Sequence, residues 1–338
     1  MKRILLLATG GTIASVQGKD GLTPGITDKD LVGYLPENNE ELLLHSINLM
    51  NLDSTNMQPE YWLEIARTIY NKYDQYDGFV ITHGTDTLGY TSAALSYILQ
   101  SLAKPVIITG SMVPIDFDGT DAKKNMVDAI RFACENVCGV YVVFDGKVIS
   151  GTRAVKVRSK SYNAFMSINY PYIARIEGSE VVYLTNIPVS KSGPLKLDTS
   201  ICSNVFVLKL FPGITPEVFD YIKQSFRGVV IESYGNGGIP FEKRNLLPKI
   251  NELIEAGIAV VITTQCLEEG TDLQRYEVGR KISKKFIISS RDMNTEAIVT
   301  KLMWVLGKTN NLDQVKKMME TPIANDLQQI QENDYVVL

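Results

Sequence analysis

Four consecutive aliphatic residues, Ile4–Leu7, run straight into Ala8-Thr9-Gly10-Gly11-Thr12-Ile13-Ala14, and no other junction restricts the fold of this 338-residue chain as strongly. An apolar run without alternation suits a strand buried on both faces, the kind a helix-covered parallel sheet requires. Two glycines then allow a tight turn with close backbone approach. They leave Thr12 at the carboxyl edge of the strand, where open α/β sheets gather their ligands. His83-Gly84-Thr85-Asp86-Thr87 follows a second apolar run, Gly78–Thr82, in the same manner. Two polar turns are thus expected to meet along one sheet edge.

Further strands are predicted at Pro105–Thr109 and Gly139–Phe144. Trp62, Ile65, Ala66, Ile69, Tyr70 and Tyr73 form one helical face, with Pro59 in the first turn. Leu88, Leu95, Ile98, Leu99 and Leu102 mark a second helix. A third begins near Ala122, with Asp121 as N-cap and Met126, Ala129, Ile130 and Ala133 inward. Repeated βα units predict an α/β fold, a three-layer open parallel-rich sheet in a larger N-terminal domain over residues 1–184. Two prolines and small polar residues in Thr185–Thr199 predict a linker, bounded at 185–203. A smaller α/β C-terminal domain then spans 204–338, with strands near Val205–Leu210, Gly228–Ile231 and Ala259–Thr263. Its helices are expected near Pro216–Phe226, Arg244–Ala256, Asn294–Leu306 and Leu312–Glu320.

Several function classes are disfavoured. A net charge of −4 without a basic stripe offers nucleic acid no electrostatic footprint. No apolar run approaches a membrane span, and the one after Met1-Lys2-Arg3 ends at Ala8, short for a secretory signal. The glycine after Gly11 is Gly18, so the dinucleotide fingerprint fails; Gly307-Lys308-Thr309 has Leu302 where a P-loop needs glycine. In Asp116–Asp121 the glycine comes early, and Val127 stands where a calcium loop closes with glutamate. Cys134 and Cys138 resemble a metal half-site, but two histidines and no second cysteine pair accompany them. No metal is expected, and Cys134, Cys138, Cys202 and Cys266 read as reduced cytoplasmic thiols.

The chemistry lies with Thr12, whose hydroxyl must lose its proton to a nearby base. His83 precedes the glycine turn and is expected to be structural. The other route is a partly desolvated lysine acting through a second hydroxyl and held by a carboxylate. Thr85 and Asp86 supply those two groups, and Lys156 follows the fourth strand region, although composition alone does not single it out. Asp53-Ser54-Thr55-Asn56 is another polar loop, for which helix capping by Asn56 or a neighbour is the plainer reading.

The motifs A-T-G-G-T-I-A at 8–14 and T-H-G-T-D-T at 82–87 resemble the two signatures of the bacterial-type L-asparaginase family. D-S-T-N-M at 53–57, T-G-S at 109–111, S-Y-G at 233–235 and T-T-Q-C at 263–266 extend the match over nearly the whole chain. It looks most like the cytoplasmic type I enzymes, especially those of Gram-positive bacteria. The resemblance implies hydrolysis of L-asparagine to L-aspartate and ammonia without a cofactor. Thr12 matches the nucleophile, and Thr85, Asp86 and Lys156 match the supporting triad. Asp86 and acceptors from Asp53–Thr55 would hold the substrate's ammonium, and Ser54 its carboxylate. Gly11, Gly84 and Ser111 complete the implied substrate site. A homodimer or homotetramer is implied as well.

Two positions depart from that pattern. Leu22 stands where many members carry a loop tyrosine on a lid-like stretch, 15–27. Either another hydroxyl such as Thr23 moves in or Thr12 is activated differently, and the loop is left out of the catalytic set. Thr264, Gln265 and Cys266 match part of an allosteric effector pocket, but Glu232 replaces an arginine there and Val155 a threonine. An effector carboxylate would lose its cationic partner, which disfavours activation by asparagine. Three alternatives stay open: L-glutamine as amide donor, a tRNA-dependent amidotransferase subunit, and a non-catalytic amino-acid sensor. Amidotransferase subunits carry an extension before the T-G-G-T turn, which here begins at residue 9, and a sensor needs no nucleophile.

Overall fold

The computed structural model describes residues 1–18, 21–33, 42–186, 193–273 and 286–328. The chain forms two units, Met1–Thr199 and Ser200–Leu338. In the first, eight strands make one sheet. From edge to edge they are Glu180–Tyr183, Ala174–Glu177, Lys147–Ser150, Gly139–Phe144, Pro105–Thr109, Gly78–Thr82, Lys2–Gly10 and Leu42–Leu52. The last five run parallel, and the first three add an antiparallel border.

Ile4, Leu5, Leu6 and Leu7 are all fully buried, as the unbroken apolar run requires. Ile4, Leu6, Val80 and Ile107 pack in one core with Met126, Ala129 and Phe132 of the helix Ala122–Ala133. The alternate residues Leu5, Leu7, Phe79 and Ile81 therefore face the opposite side, equally shielded from water. Each such side chain contributes about 1.5–3 kcal/mol of transfer free energy. The outer strand Leu42–Leu52 is only half-buried, and periodicity did not reveal it.

The helix Pro59–Lys72 buries Trp62, Ile65, Ala66 and Ile69. Tyr70 is exposed instead, because it lies about a quarter-turn from the Trp62–Ile69 stripe. The helix from Leu88 stops at Ile98, short of the predicted Leu99 and Leu102. Leu99 turns extended and pairs with Leu197, so a backbone partner far along the chain overrides the local apolar period. Asp121 occupies the N-cap of Ala122–Ala133 without capping it; its carboxylate accepts from the amides of Met112 and Val113 and from Asn125. Asn56 caps no helix; Asp53 caps the short turn Ser54–Asn56 through the Thr55 amide. Within the expected linker, 187–192 lie outside the described residues, and Lys196–Leu197 is a strand on Leu99–Gln100.

The second unit is a four-stranded parallel sheet, Val205–Lys209, Gly228–Ser233, Ala259–Thr264 and Ile287–Ser289 in that order. Its core joins Val229, Ile231, Val260 and Ile262 to Phe219, Ile222, Ile250 and Leu253 of the helices Val218–Ser225 and Leu247–Glu255. The Ile287–Ser289 strand was not anticipated; three residues are too few to stand out by period.

Candidate active site

Glycine geometry brings the polar turns together. Gly10 and Gly11 adopt φ of +95° and +79°, values that L side chains rarely tolerate. A Cβ on Gly11 would lie 2.3 Å from the Gly84 nitrogen, and one on Gly84 would lie 2.5 Å from Ser54 Oγ. A Cβ on Gly110 would meet the His83 carbonyl oxygen at 2.3 Å. Four strand-end loops therefore touch at positions where only hydrogen fits. The Gly11 amide also donates to the Leu52 carbonyl at 2.8 Å, and the Ile115 amide donates to the Ile13 carbonyl at 3.3 Å.

Thr12 opens a short 3-10 turn, Thr12–Ala14, and is partly exposed. Thr85 is buried, whereas Asp86 is open to solvent. Between them reaches Lys156, the last residue of the strand Ala154–Lys156, which pairs antiparallel with Phe165–Ser167. Its Nζ donates to Thr85 Oγ1 at 2.7 Å and to Asp86 Oδ1 at 2.6 Å. The ammonium is mostly shielded while its carboxylate partner stays more than half accessible, at 18% and 56%. Such a pair can hold a proton donor in place and still offer a negative charge to a ligand.

The 53–56 loop is fastened to the same place. Thr87 Oγ1 donates to the Ser54 carbonyl at 2.8 Å, and Asp53 Oδ1 accepts from the Thr55 amide and hydroxyl. Ser54 is buried, with Asp53 and Thr55 exposed beside it. Ser111, expected in the substrate site, keeps its hydroxyl within its own loop. It is fully buried, and its Oγ donates to the Val113 carbonyl at 2.6 Å.

His83 is fully buried, with Nδ1 at 2.7 Å from the Gly84 carbonyl and Nε2 at 2.9 Å from Thr91 Oγ1. Burial lowers its pKa to about 4, against the raising effect of the Gly84 bond. The ring is thus neutral at physiological pH and unsuited to serve as a solvent-exchanging base. Sequence reasoning missed Thr87 and Thr91, whose hydroxyls tie elements together. The only available signal was their spacing from Asp86, which by itself means little.

In the second unit, Thr264 is buried and Cys266 exposed. Gln265 Nε2 donates to the Leu210 and Glu232 carbonyls at 2.6 and 3.0 Å. Thr295 Oγ1 donates to Glu232 Oε1 at 2.8 Å, so Glu232 holds the place with a carboxylate already engaged. Leu22 and Thr23 lie on a hairpin whose backbone pairs Ser15–Gly18 with Gly21–Pro24, but their side chains are outside the described residues.

Residues 3–189 match the family model described as Asparaginase, N-terminal, and residues 204–319 match the Glutaminase/Asparaginase C-terminal domain. The chain belongs to the asparaginase family. It is 43% identical to an L-asparaginase of Thermococcus kodakarensis, over 96% of this chain and 99% of the relative. The structure of the thermostable L-asparaginase from that organism superposes with a TM-score of 0.93 at 41% identity, covering 97% of this chain and all of the other. L-asparaginase I of Vibrio cholerae gives 0.86 at 31% identity, over 97% and 99% of the two chains. The family also reaches further in function. A glutamyl-tRNA(Gln) amidotransferase component of Pyrococcus abyssi is 35% identical over 97% of this chain and 77% of that protein.

Proposed function

We propose that this chain is an asparagine amidohydrolase that releases L-aspartate and ammonia through an acyl-enzyme on Thr12. The observation that carries the reading is Lys156, held within 2.7 Å of Thr85 Oγ1 and 2.6 Å of Asp86 Oδ1 in the turn that abuts Gly11. A threonine hydroxyl attacks only when a neighbour relieves it of its proton. The Thr85 hydroxyl both accepts and donates, so it can pass that proton along. Lys156 polarises Thr85, and Asp86 orients Lys156. In the first half-reaction Thr12 Oγ bonds to the side-chain amide carbon, the C–N bond breaks, and the hydroxyl proton leaves on the amine as ammonia. Water then attacks the ester carbon, gives a proton back to Thr12 and frees aspartate. Backbone amides beside Gly11 and Gly84–Thr85 suit the oxyanion of each step.

A zwitterionic substrate needs a carboxylate for its ammonium and neutral donors for its carboxylate. The accessible Asp86 carboxylate supplies the first, with acceptors of the Asp53–Thr55 loop, and Ser54 supplies the second. Ser111 contributes through its backbone, given its inward hydroxyl. Family resemblance supports a cytoplasmic setting and a homodimer or homotetramer.

Thr12→Ala is expected to abolish ammonia release from L-asparagine while leaving binding measurable by calorimetry. Undiminished turnover in that variant would remove the assignment. The amidotransferase relative favours a second reading, amide transfer that depends on tRNA. Initial rates on free L-asparagine and L-glutamine separate the two, because the amidohydrolase needs no tRNA. Glutamine's extra methylene shifts discrimination by only about 1–3 kcal/mol, so slow glutamine turnover is compatible with the proposal. A hyperbolic asparagine curve is expected, since Glu232 offers an effector carboxylate no cation.

A further inference from the structure

The chain of hydrogen bonds behind the 83–87 turn leaves its protons one arrangement. The Gly84 carbonyl can only accept, so His83 Nδ1 carries the hydrogen of the 2.7 Å contact. Trp62 Nε1 can only donate, and it does so to Thr91 Oγ1 at 3.0 Å. Since the neutral ring carries its one hydrogen on Nδ1, Nε2 accepts, and the Thr91 hydroxyl donates to it at 2.9 Å while its oxygen takes the Trp62 hydrogen. Two helices, Pro59–Lys72 and Leu88–Ile98, thereby fix one imidazole tautomer. That tautomer in turn holds the Gly84 carbonyl.

The Gly84–Thr85 peptide is trans, as is every peptide bond among the described residues, so its N–H points opposite to its C=O. With the carbonyl drawn toward the buried ring, the Thr85 amide hydrogen is directed out of the packed interior. Among the described residues that amide has no hydrogen-bond acceptor. The turn thus presents an unengaged backbone donor at the residue whose hydroxyl contacts Lys156.

We propose that His83 is a positioning residue for catalysis: through the Gly84 carbonyl it sets the Thr85 amide as an oxyanion donor, and Thr91 and Trp62 enforce the tautomer that does so. This rests on the amidohydrolase reading above. His83 itself touches no substrate. Its effect belongs to the transition state, in which the oxyanion exists, rather than to substrate binding.

The test combines kinetics with spectroscopy. Removing one oxyanion donor outright costs roughly 100–1,000-fold in kcat, so loosening one by His83→Leu is expected to cost about tenfold, with KM changed less than about twofold. His83→Asn, whose side-chain amide can still donate to the Gly84 carbonyl, should recover most of that loss. An unchanged kcat, a loss confined to KM, or equal losses in both variants would overturn the proposal. Should His83→Leu fail to fold, Thr91→Val keeps the ring and removes only the hydroxyl that enforces its tautomer. It is expected to lower kcat severalfold at constant KM, and an unchanged kcat counts against the proposal.

Long-range proton–nitrogen NMR gives an activity-independent readout. The chain has two histidines, so a His45→Gln background leaves His83 alone. The expected spectrum is a neutral ring protonated at Nδ1 from about pH 5 to 9, with the tautomers mixing in Thr91→Val. A ring protonated at Nε2, or titrating near the ordinary value of about 6.5, would sink the idea. If Thr12→Ala retained turnover, the functional reading would fall while this spectrum still judged the hydrogen-bond chain.

Discussion

Gly11 and Gly84 do their work by lacking a side chain. Each sits where a Cβ would strike the backbone or buried side chain of a neighbouring loop, and Gly11 also needs a φ of +79°. Gly11→Ala combines the steric and the conformational penalty. It is expected to lower stability by about 1–3 kcal/mol and to cut asparagine turnover, because the Thr12 turn must retreat from Gly84. Thermal melts alongside initial rates check both effects. His83 makes a second prediction at this scale. An unfolded chain protonates it near 6.5, whereas the buried ring resists until about pH 4. The unfolded state therefore binds more protons across that window, and stability falls as pH drops through it. The loss is on the order of 3 kcal/mol when complete. Urea unfolding of wild type and His83→Asn at about pH 7 and about pH 4.5 should show the steeper decline in wild type.

Elements in the larger unit are joined by loops that one carboxylate or hydroxyl fixes. Asp121 stands where a helix cap is expected, yet it gathers the Met112 and Val113 amides and the Asn125 side chain. Asn125 also donates to the Gly110 carbonyl and accepts from the Asp145 amide, so this helix start organises the ends of two strands. Asp121→Ala would strand the two loop amides. The expected cost is about 1–3 kcal/mol for a buried site of this kind. Hydrogen exchange should report faster opening at Met112 and Val113, with slower change in the helix itself. Protection equal to wild type at those amides would contradict the assignment. The strand Ala154–Lys156 works alike at the site, delivering Lys156 to a turn seventy residues earlier in the chain.

Each of the two units has its own core and its own tryptophan, Trp62 in the first and Trp304 in the second. The second unit also contains a fully buried ion pair. Lys301 Nζ lies 2.7 Å from Asp326 Oδ2 and donates to the Met319 and Thr321 carbonyls that end the helix Leu312–Glu320. Burial pushes the Lys301 pKa down, against the raising effect of Asp326. Lys301→Met would leave a carboxylate buried without its cation, at a cost of about 3–5 kcal/mol. Trp304 fluorescence during denaturation should show an earlier transition in that variant. Adding Asp326→Leu should return part of the loss, and a double variant as weak as the single one would argue against a charge-based cause.

Sequence alone determined the buried strands, because a run such as Ile4–Leu7 has no polar face to give water. It also marked the two turns, since glycine beside a strand end serves few purposes other than close approach. Helical faces were legible to within a residue where nothing distant interfered, and Leu99 was misread because its partner, Leu197, lies far along the chain. Asp121 stands at the predicted N-cap, but its carboxylate serves the Met112 and Val113 amides instead, because the direction of a polar side chain is set by which partners the fold brings near. Composition and spacing left Lys156 one lysine among many, and only the motif resemblance pointed to it; the tertiary structure supplies its contacts with Thr85 and Asp86. Hydrophobic period is a local property of the chain. Hydrogen-bond partnership is a property of space, and only folding supplies it.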